Sequence, residues 1–198
     1  MKVSIENINI NVTGSLSDGM SDKEFFHFCT ENRDLRIERD ANRQIYIMAP
    51  TGFETGNFNA DITTDLTNWN RKNKSGKVFD SSTGFTLPDR AVFSPDAAWV
   101  CNDRILKLTK EQKKVVAPVC PNFVIELKSP SDNIPDLQNK MLKWIENGCQ
   151  LAWLIIPEKE EAYIYRADGS IEIVKGFNKK LSGENILPEF ELDLSLLK

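Results

Sequence analysis

The stretch Phe123-Val124-Ile125-Glu126-Leu127-Lys128-Ser129-Pro130 limits the fold more than any other part of the chain. It is a short apolar run closed by a proline, the pattern of a buried strand that ends where proline removes a ladder donor. Alternation places Phe123, Ile125 and Leu127 on one face and Val124, Glu126 and Lys128 on the other. Glu126 and Lys128 then stand roughly 7 Å apart on one face. Charges at the end of an apolar strand must be paired or bind something, because bare burial is costly. A strand apolar on both faces needs cover on both, so the expected class is α/β, a mixed sheet with helices on its faces.

Upstream, Ser94-Pro95-Asp96-Ala97-Ala98-Trp99-Val100 has proline where a strand can begin, which makes Asp96 the expected first paired residue of a strand reaching Val100. If that strand runs antiparallel to the one at 123–128, Asp96 lies beside Glu126 and Lys128. Two carboxylates and a lysine at one point suit a hard divalent cation, with the lysine free to orient water or stabilise charge at phosphorus. That is equipment for phosphodiester hydrolysis. The tripeptide Glu-x-Lys alone says little, since Glu111-Gln112-Lys113 repeats it in what reads as a solvated helical turn. The plainer reading of the same residues is a structural ion pair at a strand end.

The remaining segments read as support. Ser21-Asp22-Lys23-Glu24 has the form of a capping box opening a helix to about Asn32, with His27 as a surface or packing residue. Leu35–Glu38 and Gln44–Met48 form a hairpin; Glu38 could contribute to the site, but an outward strand carboxylate is the plainer expectation. A helix follows the turn at Pro50-Thr51-Gly52 and reaches about Asn73, its apolar stripe being Phe58, Ile62, Leu66 and Trp69. Glu54 in its first turn suits the helix dipole, as do Arg71 and Lys72 at its end; those two with Lys74 and Lys77 also suit phosphate contacts. Short strands are expected at 77–79 and 85–87, and a polar excursion with a helical turn near 109–114 fills 101–120. After Lys128 a helix with Pro135 in its first turn carries Leu137, Met141, Trp144 and Ile145. Gln138 and Lys140 flank that stripe on opposite sides, so one of them can face the site. A buried strand at 151–156, a hairpin at 161–165 and 171–174, and an apolar tail from Leu181, suited to docking or to a dimer contact, complete the chain.

Composition fits one domain over residues 21–198, preceded by a loose arm over 1–20: the 198 residues are 40% hydrophobic and 27% charged. No apolar run reaches the roughly 18 residues of a membrane span, so a soluble, cytoplasmic protein is expected. Four scattered cysteines and one histidine argue against zinc ligation and a disulfide framework. A net charge of −4 and a pI near 5.2 argue against a broad basic surface, so association with nucleic acid should depend on the metal.

Taken together, Pro95-Asp96 and Glu126-Leu127-Lys128 resemble the signature of the PD-(D/E)XK nuclease superfamily. Pro50–Gly56, Ser81–Phe85, Pro121–Asp132 and Glu146-Asn147-Gly148 resemble, more closely, a family of small restriction-endonuclease-like proteins of unknown cellular role. The resemblance implies a restriction-endonuclease-like mixed β-sheet flanked by helices and a nuclease dependent on Mg2+ or Mn2+. It implies that Asp96, Glu126 and the backbone carbonyl of Leu127 hold the metal while Lys128 positions a water. It further points to Glu54 as an acidic residue joining or orienting the metal shell, and to Lys140 as a helix lysine near the metal. The implied partner is nucleic acid, with DNA expected; a homodimer would suit cutting of both strands, and no residue pattern requires one. The alternative is a module that binds nucleic acid or protein without cutting.

Overall fold

In the computed structural model, residues 20–33, 35–48 and 50–198 are described; the expected arm over 1–20 lies outside them except for Met20. From there run helix α1 (Asp22–Glu31), hairpin strands β1 (Arg36–Arg39) and β2 (Ile45–Met48), helix α2 (Phe53–Asn73), and strands β3 (Gly76–Asp80), β4 (Phe85–Thr86), β5 (Val92–Phe93) and β6 (Ala97–Cys101). Then come the short helix α3 (Asn102–Leu106), strand β7 (Phe123–Leu127), helix α4 (Ile134–Glu146), and strands β8 (Leu151–Ile156), β9 (Glu161–Arg166), β10 (Ile171–Lys175), β11 (Lys180–Ser182) and β12 (Glu191–Asp193).

Six strands form a mixed sheet in the order β10-β9-β8-β7-β6-β3. Its pairs are antiparallel except β7 with β8, which α4 connects by a crossover. The alternation read from the sequence of β7 sorts its two faces as expected. Phe123, Ile125 and Leu127 join a core with Phe58, Ile62, Leu66 and Trp69 of α2. Val124 joins another with Met141 and Trp144 of α4. Each large side chain so buried contributes roughly 1.5–3 kcal/mol, which makes the two helices integral to the sheet.

The C-terminal tail takes the docking alternative. Leu187, Phe190, Leu192 and Leu194 are buried on the α2 face of the sheet, where Phe190 stacks on Trp153 with centroids 5.8 Å apart. The β11–β12 pair thus closes the back of the sheet behind β7 and β8.

A second sheet, β2-β1-β5-β4, carries α1. Its own core is small: Met20, Phe25, Phe28, Ile37 and Val92. The capping box at Ser21 and Glu24 is formed. Arg39, 1% exposed, fixes this unit by donating to the carbonyls of Met20 at 2.8 Å and Arg90 at 3.0 Å and to Asp22, while lying over the Phe25 ring. The chain leaves this sheet at Phe93 and enters the large one at Ala97, so Ser94, Pro95 and Asp96 sit at the junction of the two.

Two boundaries differ from expectation. The β6 ladder begins at Ala97 rather than Asp96, because the Asp96 side chain takes the Leu127 N–H that a backbone carbonyl would otherwise accept. The excursion at 101–120 holds α3 at 102–106 and a 3-10 turn only at 112–114. Arg104 pins α3 by donating to the carbonyls of Cys120, Pro121 and Gly148.

Candidate active site

Antiparallel pairing of β6 and β7 sets Ala97 against Ile125 and Ala98 against Val124. One step further along this register Asp96 meets the end of β7, where its Oδ2 accepts the Leu127 N–H at 2.8 Å. Its Oδ1 accepts from Asn59 Nδ2 at 3.2 Å and lies 3.7 Å from Arg36 Nη1. Asp96 is 8% exposed. Burial pushes its carboxyl above the usual range, and the Leu127 N–H, Arg36, Lys140 and Asn59 pull against that shift.

Glu126 is buried more deeply, and α4 satisfies it. Its Oε1 accepts from Trp144 Nε1 at 2.9 Å and stands 3.0 Å from Lys140 Nζ. Pro135 starts α4 at a position from which Lys140 and Trp144, four residues apart, both reach the strand. Burial pushes the Glu126 carboxyl up to about 7; the neighbouring Asp96 and Glu38 charges add to the rise, and Lys140 and Trp144 oppose it.

Glu38 overturns the expectation of an outward strand carboxylate. It is 5% exposed, and its Oε1 accepts from the Ser94 N–H at 2.8 Å and from Lys140 Nζ at 2.9 Å. Ile37, Glu38 and Arg39 are all buried, so alternation along β1 does not separate an inner from an outer face.

Lys140 is the hub. Burial alone would depress its ammonium, but the Glu126 and Glu38 carboxylates outweigh that and hold it above the usual lysine value. Its Nζ also lies 5.5 Å from the Phe93 ring centroid.

Lys128, although 7% exposed, is bound elsewhere. Its Nζ stands 2.8 Å from Glu158 Oε1, in the turn after β8, and donates to the Ser129 carbonyl at 3.0 Å. The strand ends at Leu127, so the alternation that would set Lys128 beside Glu126 stops one residue short. Glu54 is exposed in the first turn of α2, and it is Asn59, further along that helix, that touches Asp96. Gln138 is half-buried on the other flank of α4. His27 lies on the α1 surface, 3.1 Å from Glu31.

The donor chemistry fits a hard cation. Asp96, Glu126 and Glu38 offer buried carboxylate oxygens, and burial above all, with the Asp96 and Glu38 charges adding to it, raises the Glu126 carboxyl. Among the described residues no three acidic, histidine or cysteine side chains already stand close enough to grip an ion. Glu38 meets Glu126 through Lys140, and Asp96 stands against the end of the same strand.

The family model described as "Putative restriction endonuclease", Uma2, matches residues 22–195. This chain belongs to the Uma2 family. With it comes membership of the restriction-endonuclease-like PD-(D/E)XK superfamily, as the motif residues imply. The fold agrees: a crystal structure from Anabaena variabilis, titled as a putative nuclease belonging to DUF820, superposes with a TM-score of 0.69. The match covers 81% of this Uma2 chain and 88% of that one at 16% identity. No curated protein matches. Among the described residues no helix is long and apolar enough to cross a membrane.

Proposed function

We propose that the chain is a divalent-metal-dependent nuclease that hydrolyses phosphodiester bonds of nucleic acid, with DNA as the expected substrate. The observation that carries the reading is the buried cluster in which Glu38 and Glu126 share the Lys140 ammonium while Asp96 closes on the end of β7. Burying such a cluster costs stability, and buried, perturbed carboxylates of this kind gather at functional sites.

Asp96, Glu126 and the Leu127 carbonyl would hold Mg2+ or Mn2+. When bound, the metal supplies Lewis acidity toward water and phosphate and neutralises the carboxylates. Asn59 and the Leu127 N–H fix the Asp96 carboxylate by occupying one oxygen each. Lys140 and Trp144 keep Glu126 oriented and favour its ionised form near neutral pH. Lys140 is the ammonium in contact with the carboxylates, and we assign it the stabilisation of charge developing on the phosphate. Lys128 would position the attacking water after exchanging Glu158 for the substrate. Glu54, exposed at the open end of α2, would act on the metal shell only from outside it.

Cleavage of supercoiled plasmid, single-stranded DNA and RNA in Mg2+ or Mn2+, wild type beside Asp96→Ala, tests the reading. Cutting that disappears in the variant supports it. Equal cutting by both proteins refutes the site assigned here, and cutting by neither refutes the reading in favour of a binding module.

A further inference from the structure

A groove of about 260 Å³ runs between α1 and the β1–β5 side of the small sheet. Phe26, Thr30, Arg33, Leu35, Arg36 and Val116 are among its lining residues. In a chain of net charge −4, the described residues of this lining include two arginines, Arg33 and Arg36. The volume is below the roughly 300–1,000 Å³ typical of sites for drug-sized ligands. It suits one planar group, not a stacked pair.

Arg36 joins the groove to the acidic cluster. Its Nη2 donates to the Ser94 carbonyl at 2.7 Å and its Nη1 lies 3.7 Å from Asp96, while its Nε is buried with no acceptor among the described residues. Buried donors are nearly always paired, and guanidinium is built to grip phosphate oxygens. Arg33, at the mouth, uses its Nε on the Thr30 carbonyl and keeps the rest of its fork at the surface. Apolar walls, an aromatic edge, one cation beside Asp96 and a second in the lining are what an unpaired nucleotide needs: stacking for the base and charge for the phosphate.

We infer that this groove is a subsite for a single unpaired nucleotide next to the phosphate at the Asp96–Glu126 cluster, so that the chain acts on single-stranded or frayed nucleic acid in preference to intact duplex. The inference rests on the nuclease reading for what happens at the cluster, but the groove's binding is measurable without cutting. A duplex end would have to open for a base to enter, at the cost of unpairing and unstacking it. In a chain of net charge −4, base stacking carries a larger share of the affinity.

The test is anisotropy with a fluorescent single-stranded oligonucleotide and the same sequence as a blunt duplex, in Ca2+, for wild type, Phe26→Ala and Arg33→Ala. Single strand should bind at least about tenfold tighter than duplex. Phe26→Ala should weaken single-strand binding roughly 5- to 150-fold, the range for loss of one base–aromatic stack. Arg33→Ala should lower the slope of log affinity against log salt by about 0.7, as for one phosphate contact to a single strand. If Phe26→Ala melts at ambient temperature, the exposed Arg33→Ala carries the test alone. Unchanged affinity and salt slope in the folded variants, or equal binding of both substrates, overturns the subsite. Plasmid cutting with an unresponsive groove would sink the subsite and spare the nuclease; groove-dependent binding without cutting by any protein would do the reverse.

Discussion

Replacing Lys140 by methionine keeps most of the length of the side chain and removes its charge, leaving Glu38 and Glu126 buried without their shared cation. Breaking a buried ion pair by removing one partner costs about 3–5 kcal/mol. The orphaned carboxylates can escape part of that by taking up a proton. Holding one carboxyl protonated after its unfolded counterpart has ionised near pH 4.5 costs about 1.4 kcal/mol per pH unit. At pH 5.5 that route costs roughly 1.4 kcal/mol, and at pH 8 about 5 kcal/mol. The loss on Lys140→Met should therefore be about 3–5 kcal/mol at pH 8 and shrink to about 1–2 kcal/mol at pH 5.5. Urea melts followed by tryptophan fluorescence at the two pH values would read it, since Trp144 touches Glu126 directly. A loss that is the same at both pH values, or below about 1 kcal/mol at pH 8, would mean that Lys140 is not neutralising the pair, and the charge argument for the site would fail.

The wild type carries a related signature. Below pH 4.5 Glu126 is protonated whether folded or not; between about 4.5 and 7 the unfolded chain ionises first, so metal-free stability should fall across that window by an amount on the order of 3 kcal/mol. Glu126→Gln should flatten the fall in a pH series of melts, and an unaltered slope would show that another group titrates. Lys128→Ala should lower kcat while calorimetry finds metal affinity unchanged, and Glu158→Ala, which frees the same ammonium, should not lower kcat; loss of metal binding in Lys128→Ala would contradict the role given to it.

Most of what positions the cluster could be read from local pattern. Strict alternation through β7 separates Glu126 from Ile125 and Leu127, and a proline before Asp96 places that residue at a strand start, so antiparallel pairing is enough to bring the two acidic positions to one end. The stripe on α4 likewise allows Lys140 one face. Glu38 escaped because its strand is covered on both sides, which erases the period-2 signal that tells inside from outside. The Lys128–Glu158 pair escaped for another reason: it joins a strand end to a turn that follows the neighbouring strand, a contact made by the crossover and not by any spacing. Strands of two or three residues, such as β5 and β12, are too short to show a period at all.

The bond between Glu38 and Lys140 also has a mechanical meaning. Glu126 stands on the large sheet, stiffened from behind by Trp153 and Phe190, and Lys140 on α4 packed against it, whereas Glu38 arrives on the small sheet with its modest core. The two sheets are thus bolted through an ammonium, and a slight tilt of the lighter one would lengthen that bolt and leave Glu126 with a larger share of the lysine's charge. Movement of α1 and its hairpin, including any caused by filling the groove beside them, would then be transmitted as a change in acidity some distance away, the wall of the site acting as a lever on the proton affinity of its floor.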